Sequence, residues 1–226
     1  MLVFERISNR ERDRIEFDPK QLIVAGWTGR DEAIVNHHIE ELAAIGVPRP
    51  SSVPVFYRNG IGNLTQAARI EVLGPHSSGE IEPVLVIMQD GIWLGLGSDH
   101  TDRKVEAMGI AHSKQLCPKP LGMTLWRLNE VAEHWDQLVV RAFAVIDGRR
   151  VKYQEGPLSA MRAPADLMAH AGGDASLFPG TIMYCGTLSV IGGIRPSTRF
   201  EMVLEDPVLG RALTYVYDID ALPIIS

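Results

Sequence analysis

Apolar residues along the chain fall mostly in short runs of four to nine residues, separated by turn-forming residues. Such runs predict strands at Leu2–Ile7, Gln21–Gly26, Pro54–Arg58, Ala68–Val72, Glu80–Met88 and Ile92–Gly97. Further strands are predicted at Leu138–Ile146, Val151–Gln154, Thr181–Gly186, Arg199–Glu205 and Arg211–Tyr217. The turn signals "QDG", "DGR" and "DPVLG" join neighbouring runs into hairpins. Helical spacing is rarer. In "TGRDEAIVNHHIEELAAIG", Thr28 with Asp31 three residues on reads as a capping box. Ile34, Ile39, Leu42 and Ala43 make the apolar face of this helix, and Gly46 ends it. "NEVAEHWDQL" and "APADLMAHAG" read as short helices, with Pro164 near the start of the second. The pattern predicts a mixed α+β chain, rich in antiparallel β structure, with few short helices.

Composition narrows the classes. The 226 residues are 46% hydrophobic, enough for a full core, and there is no internal repeat or low-complexity segment. The expected organisation is an N-terminal strand or appendage over 1–20, followed by one catalytic domain over 21–226. A net charge of −6 argues against nucleic acid as partner, because phosphate backbones need a basic face. Two cysteines, Cys117 and Cys185, offer no disulfide framework, and their apolar neighbours make them buried thiols. No apolar run reaches membrane-spanning length and the N-terminus carries no signal core, so a cytoplasmic protein without membrane contact is expected.

Candidate chemistry gathers in five stretches. In "GEIEPVLVI", Glu80 and Glu82 head an apolar strand, and period 2 puts both carboxylates on one face. Like charges so close raise one another's pKa unless a cation lies between them, and hard divalent cations prefer such oxygens. Charges guarding a sheet edge would give the same pattern. In "GSDHTDR", Asp99 follows a strand predicted to pair with the Glu80–Met88 strand, so it can meet Glu80 and Glu82 at one rim. His100 with Asp102 is a rival site for a borderline metal such as zinc, and Asp102 is also a good helix cap. In "NHHIEEL", His38 and Glu41 share a helix face, the spacing of a carboxylate that orients an imidazole base. His37 with Glu40 or Glu41 pairs as well. "SKQLCPKP" places Lys114 and Lys119 about a stiff loop, where a lysine can hold a substrate carboxylate or merely face water. "FPGTIMYCGTLSVIGG" ends a strand at Gly186-Thr187, where backbone N–H groups can cradle an anion.

In order, "GWT", "HIEE", "VPVFYR", "EIE", "SDHTDR", "SKQLCPKP" and "FPGTIMYCGT" resemble the motif series of the fumarylacetoacetate hydrolase-like superfamily, over roughly residues 24 to 217. The likeness is of order and spacing, and marks a divergent branch. Ser98, Leu188, Arg58 and the pair Trp27-Thr28 replace the family's Asn, Pro, Lys and Asn-Tyr. The resemblance implies a mixed β-sheet or partly open β-barrel fold and a homodimer. It implies Glu80, Glu82 and Asp99 as ligands of Mg²⁺ (or Mn²⁺ or Ca²⁺). It further implies His38, Glu41 and Lys114 as catalytic residues, with Arg58, Arg103, Gly186 and Thr187 about the substrate. The expected activity is hydrolysis of a carbon–carbon bond in a small oxo-acid. Decarboxylation, hydration, isomerisation or mere metabolite binding are the alternatives.

Overall fold

The structure, a computed structural model, describes residues 1–9, 11–44 and 49–225; the side chains of His38, Glu41 and Leu42 fall outside that description. Two mixed sheets form the body. The larger has eight strands, in the order Arg12–Phe17, Leu2–Ile7, Thr124–Arg127, Gly91–Ser98, Ile81–Met88, Thr181–Tyr184, Gln21–Gly26 and Val55–Asn59. Its two outer strands do not pair with each other, so the sheet stays open. The second has five strands, in the order Arg149–Pro157, Val139–Ile146, Arg199–Asp206, Arg211–Leu222 and Arg69–Leu73. Most neighbours in both are antiparallel. The expected β-rich α+β class is what is found.

Ile81–Met88 shows how the sequence positions the rest. All eight of its residues are buried, the mark of a strand covered on both faces. Ile81, Leu85 and Ile87 face a core shared with Val140, Ala142, Phe200, Met202 and Leu204 of the second sheet. Val84 and Val86 face the other way, among Leu22, Val24, Trp93, Leu121, Leu125 and Tyr184. A two-residue turn at Gln89-Asp90 leads into Gly91–Ser98, with Met88 opposite Gly91 and Glu82 opposite Gly97. Residues 1–20 contribute two strands that pair antiparallel at the edge of the larger sheet.

The first helix spans Glu32–Ala44, and two sequence expectations for it are corrected. Its cap is Asp31, whose Oδ1 accepts from the N–H groups of Ala33 (2.9 Å) and Ile34 (3.2 Å); Thr28 lies outside the helix and is buried. Ile34 is 68% exposed, while Val35 and Ile39, four apart, carry the packed face. Gly46, expected to end the helix, lies outside the described residues. "NEVAEHWDQL" forms two 3-10 turns, Leu128–Glu130 and Ala132–Gln137, and Pro164–His170 is a helix with Pro at its first position. Two short helices follow the first core hairpin: Arg103–Glu106, which starts at the Asp102 cap, and Ile110–Leu116, which the sequence pattern did not predict. No helix among the described residues is long and apolar enough to cross a membrane.

Burial pushes the Cys117 thiol up to about 11 and the Cys185 thiol higher still. Both therefore stay protonated and unreactive near neutral pH. Titration of the folded protein with an aromatic disulfide reagent at pH 8 should release no thiol equivalents, and two after denaturation. A fast-reacting equivalent in the folded state would contradict this.

Candidate metal centre

Three carboxylates meet where the first core hairpin begins and ends. Oxygens of Glu80, Glu82 and Asp99 all lie within 4.8 Å of one another. The register explains it. Ile81 stands opposite Ser98, and the Asp99 N–H donates to the Glu80 carbonyl at 3.0 Å, so the strand ends carry their acids to one rim. Glu80 and Glu82, two apart, point to the same side, as period 2 requires.

Each acid has a different setting. Glu82 is 2% exposed, and its Oε2 accepts from the Gly186 N–H at 2.8 Å. Burial, then the nearby Asp99 and Glu80 charges, push its pKa well above the carboxylate range. Asp99 is fully buried, which by itself would raise its pKa. The ammonium groups of Lys114 and Lys119 outweigh that and hold it below the usual value. Lys114 Nζ donates to Asp99 Oδ2 and lies 3.8 Å from Glu80 Oε2. Lys119 Nζ stands 3.3 Å from Asp99 Oδ1, yet that oxygen receives no well-directed hydrogen bond. Glu80 is fixed from the other side by Arg103, whose Nη2 lies 2.9 Å from its Oε1.

A hard divalent ion suits this set. The donors are three anionic oxygens, and Asp99 Oδ1 is a buried acceptor short of a partner. Crowded carboxylates that resist full ionisation gain most from such a cation.

Lys114 is buried, and burial alone would weaken its hold on the proton. Asp99, Glu80 and Glu82 outweigh that and raise its pKa. Its Nζ also lies 5.8 Å from the centre of the Tyr57 ring. Arg103 is brought to the rim but is already engaged, donating to Ser78 Oγ at 2.7 Å and Glu106 Oε2 at 2.9 Å. Thr187 Oγ1 donates to the Ile81 carbonyl at 2.7 Å and accepts from Gln154 at 2.8 Å. The anion cradled by the Gly186 N–H is the chain's own Glu82.

Arg58 is not brought to the cluster. Strand alternation turns Tyr57 toward Lys114 and sends Arg58 to the opposite face, where its guanidinium donates to the Asp174 carbonyl. His38 and Glu41 sit on the first helix, but their side chains lie outside the described residues. His100 is spent elsewhere, with Nδ1 3.0 Å from Tyr217 Oη and Nε2 2.9 Å from Ser77 Oγ. Burial, then Lys119 and Arg103, push its pKa down to about 3. Asp102 caps Arg103–Glu106 through the Lys104 and Val105 N–H groups. Two surface cavities, one by Arg6 and Phe17 and one by Asn63 and Arg69, are lined by no member of the cluster.

Gly186 has φ +94°, and a Cβ there would overlap Thr28 Oγ1 and lie 2.8 Å from Thr28 Cβ. Gly186→Ala should therefore cost about 2–5 kcal/mol, from the left-handed backbone plus overpacking. For a chain of this size the thermal midpoint should fall by roughly 5–15 °C. Gly148, at φ +74° with open space around it, is the control, and its Ala variant should lose much less. Equal losses in calorimetry would refute the close-approach argument.

Solved structures share the fold. "Crystal structure of Cg1458 with inhibitor" aligns at TM-score 0.66 and 15% identity, covering 94% of this chain and 81% of that one. A yeast fumarylacetoacetate hydrolase family protein, ynq8, aligns at TM-score 0.63 and 17% identity, covering 92% and 95%. A 2-keto-3-deoxy-D-arabinonate dehydratase, complexed with magnesium and 2,5-dioxopentanoate, aligns at TM-score 0.66 and 14% identity, covering 96% and 86%. The fold is thus fumarylacetoacetate hydrolase-like, as its motif order implied. No curated protein matches in sequence. A family model described as "Protein of unknown function (DUF2848)" matches residues 25–217, and the chain belongs to that family.

Proposed function

We propose that the chain is a divalent-metal-dependent enzyme acting on a small oxo-acid, with Glu80, Glu82 and Asp99 as ligands of Mg²⁺ or Mn²⁺. One observation carries the reading. Three carboxylates converge within 4.8 Å, and the buried Asp99 Oδ1 is left without a well-directed donor. A bound ion of this kind supplies Lewis acidity, lowering the cost of negative charge on a carbonyl oxygen. The chain's residues supply the remainder. Lys114 adds a fixed positive charge at the rim, able to attract the substrate carboxylate. Arg103 holds Glu80 in place. Glu41 orients His38, which removes a proton from water so that the oxygen attacks a carbonyl. The adjacent C–C bond breaks, its electron pair leaves as an enolate, and protonation at carbon completes the hydrolysis.

A dehydratase of the same fold that binds magnesium and 2,5-dioxopentanoate favours a second reading. The same electron sink supports loss of water from a 2-oxo acid. It also supports decarboxylation or isomerisation. A panel of acylpyruvates, oxaloacetate and 3-deoxy-2-oxo sugar acids, assayed with Mg²⁺, Mn²⁺ or a chelator, separates these. Turnover that needs metal on one class supports an enzyme. Metal binding without turnover on any class supports a metabolite-binding scaffold, and no metal binding overturns the proposal. The protein is taken to act as a homodimer, which light scattering checks.

A further inference from the structure

Of the chain's four tryptophans, Trp93, Trp126 and Trp135 are core residues, 2%, 1% and 4% exposed. Trp27 is different. It is half-buried, belongs to neither hydrophobic cluster, and has a left-handed backbone with φ +58°. That conformation disfavours any residue with a Cβ, and glycine would avoid the cost. The flanking chain holds it in place. Gly26 pairs opposite Val55, the Thr28 carbonyl accepts from the Arg162 N–H at 2.8 Å, and Gly29 bridges to Met161. Residues over-determined in this way cluster at ligand clamps and active sites.

The surroundings of Trp27 point the same way. Its indole N–H donates to the Tyr57 side chain. Tyr57 is also half-buried, and its ring centre lies 5.8 Å from the Nζ of Lys114, which in turn donates to Asp99. Gly26 makes room for that ring, since a Cβ there would come within 3.0 Å of Tyr57 Cε2. On the other side of Trp27, Thr28 packs against Gly186, whose N–H holds Glu82. Two partly exposed aromatic side chains are thus tied to the carboxylate rim at both ends.

We propose that Trp27 and Tyr57 form the specificity wall of the metal centre and select oxo-acids whose tail is a flat aryl group. This rests on the metal-centre reading above. An oxo-acid held by its charged end at the acids and Lys114 has the Tyr57 ring as its neighbour and the Trp27 indole beyond it. Aromatic rings favour a flat partner, stacked with an offset or met edge to face. The hydrogen bond between the two side chains and the held backbone fix the wall in advance, so little side-chain freedom is lost on binding.

The test uses oxamates, which keep one chelating head and offer no enolate leaving group. Calorimetry on the Mn²⁺-loaded wild type compares oxamate, N-cyclohexyloxamate and N-phenyloxamate. The phenyl compound should bind at least about 10-fold tighter than oxamate, from apolar burial. It should also bind about 3–10-fold tighter than the cyclohexyl compound, from ring geometry. In Trp27→Gly both preferences should vanish while oxamate affinity stays at the wild-type value. A merely structural tryptophan would move both affinities or neither. Tyr57→Leu, which keeps bulk without a ring, should lose the preference for phenyl over cyclohexyl. Equal binding of the phenyl and cyclohexyl compounds by the wild type overturns the inference alone, as does a full phenyl preference in folded Trp27→Gly. No Mn²⁺ binding by the wild type overturns both the inference and the metal-centre reading. If the variants do not fold, wild-type fluorescence decides. The other three tryptophans are buried, so acrylamide quenching reports chiefly on Trp27. Saturating N-phenyloxamate should shield it and oxamate should not. Quenching unchanged by N-phenyloxamate overturns the inference.

Discussion

Glu82→Gln should weaken Mn²⁺ binding by about 100-fold or more, and turnover should fall with it, while the metal-free protein keeps its fold. The substitution removes one anionic oxygen and preserves shape. Its amide oxygen can still accept from the Gly186 N–H, so the strand end stays anchored. The loss therefore reads out charge at the ion. Calorimetry returning a wild-type affinity would remove Glu82 from the ligand set. Metal-free stability gives a second signature. Glu82 has a folded pKa above its unfolded one, because of burial, then Asp99 and Glu80. The folded state then binds more protons than the unfolded state between those two values, and stability falls as pH rises through that window. Asp99 works in reverse. Its folded pKa is depressed, so its contribution is present above the unfolded value and is lost as pH falls through the folded one. With chelator present, raising the pH from about 5 to 8 should lower the wild-type thermal midpoint more than that of Glu82→Gln.

The metal rim was legible because its causes are local. A hairpin turn and a period of two suffice to bring Glu80, Glu82 and Asp99 together, and both are written in "GEIEPVLVIMQDGIWLGLGSD". Elements held by tertiary contacts were not legible. Arg12–Phe17 alternates half-buried and exposed residues but is mostly charged, so it shows no apolar run; pairing with Leu2–Ile7 makes it a strand. Thr124–Arg127 is only four residues long and gains its partners from Leu2–Ile7 and Gly91–Ser98. Ile34 was placed on the packed face because it is apolar, yet the spacing of Val35 and Ile39 sets the side on which the helix packs. Arg58 was assigned by its place in a motif, and strand alternation alone sends it away from Lys114. Lys119 stood in view beside Lys114, but a surface lysine and a buried one look alike until the carbonyls around them are known. The reaction is less legible still, since it depends on where water and protons are delivered.

Delivery of that proton is what the last comparison measures. His38→Ala should lower turnover of the active oxo-acid by about 10²–10⁴-fold, the usual contribution of a general base, with Mn²⁺ affinity unchanged. The ligands belong to the hairpin rim, whereas His38 belongs to the helix Glu32–Ala44, so the two effects should separate. The root of this helix is close to the rim. Thr28 packs against Gly186, whose N–H holds Glu82, and the Asp31 cap follows three residues later. At 1.5 Å per residue, His38 lies about 10 Å along the helix from that cap. Spacing of three keeps Glu41 on the same side, and Glu41→Gln should give a smaller loss, because it perturbs the base through its orientation. His37 is the internal control, since it is one residue, or about 100°, around the helix. Full activity in His38→Ala with loss in His37→Ala would transfer the role to the neighbouring imidazole. Unchanged turnover in both would mean that the water is activated by a group outside this helix.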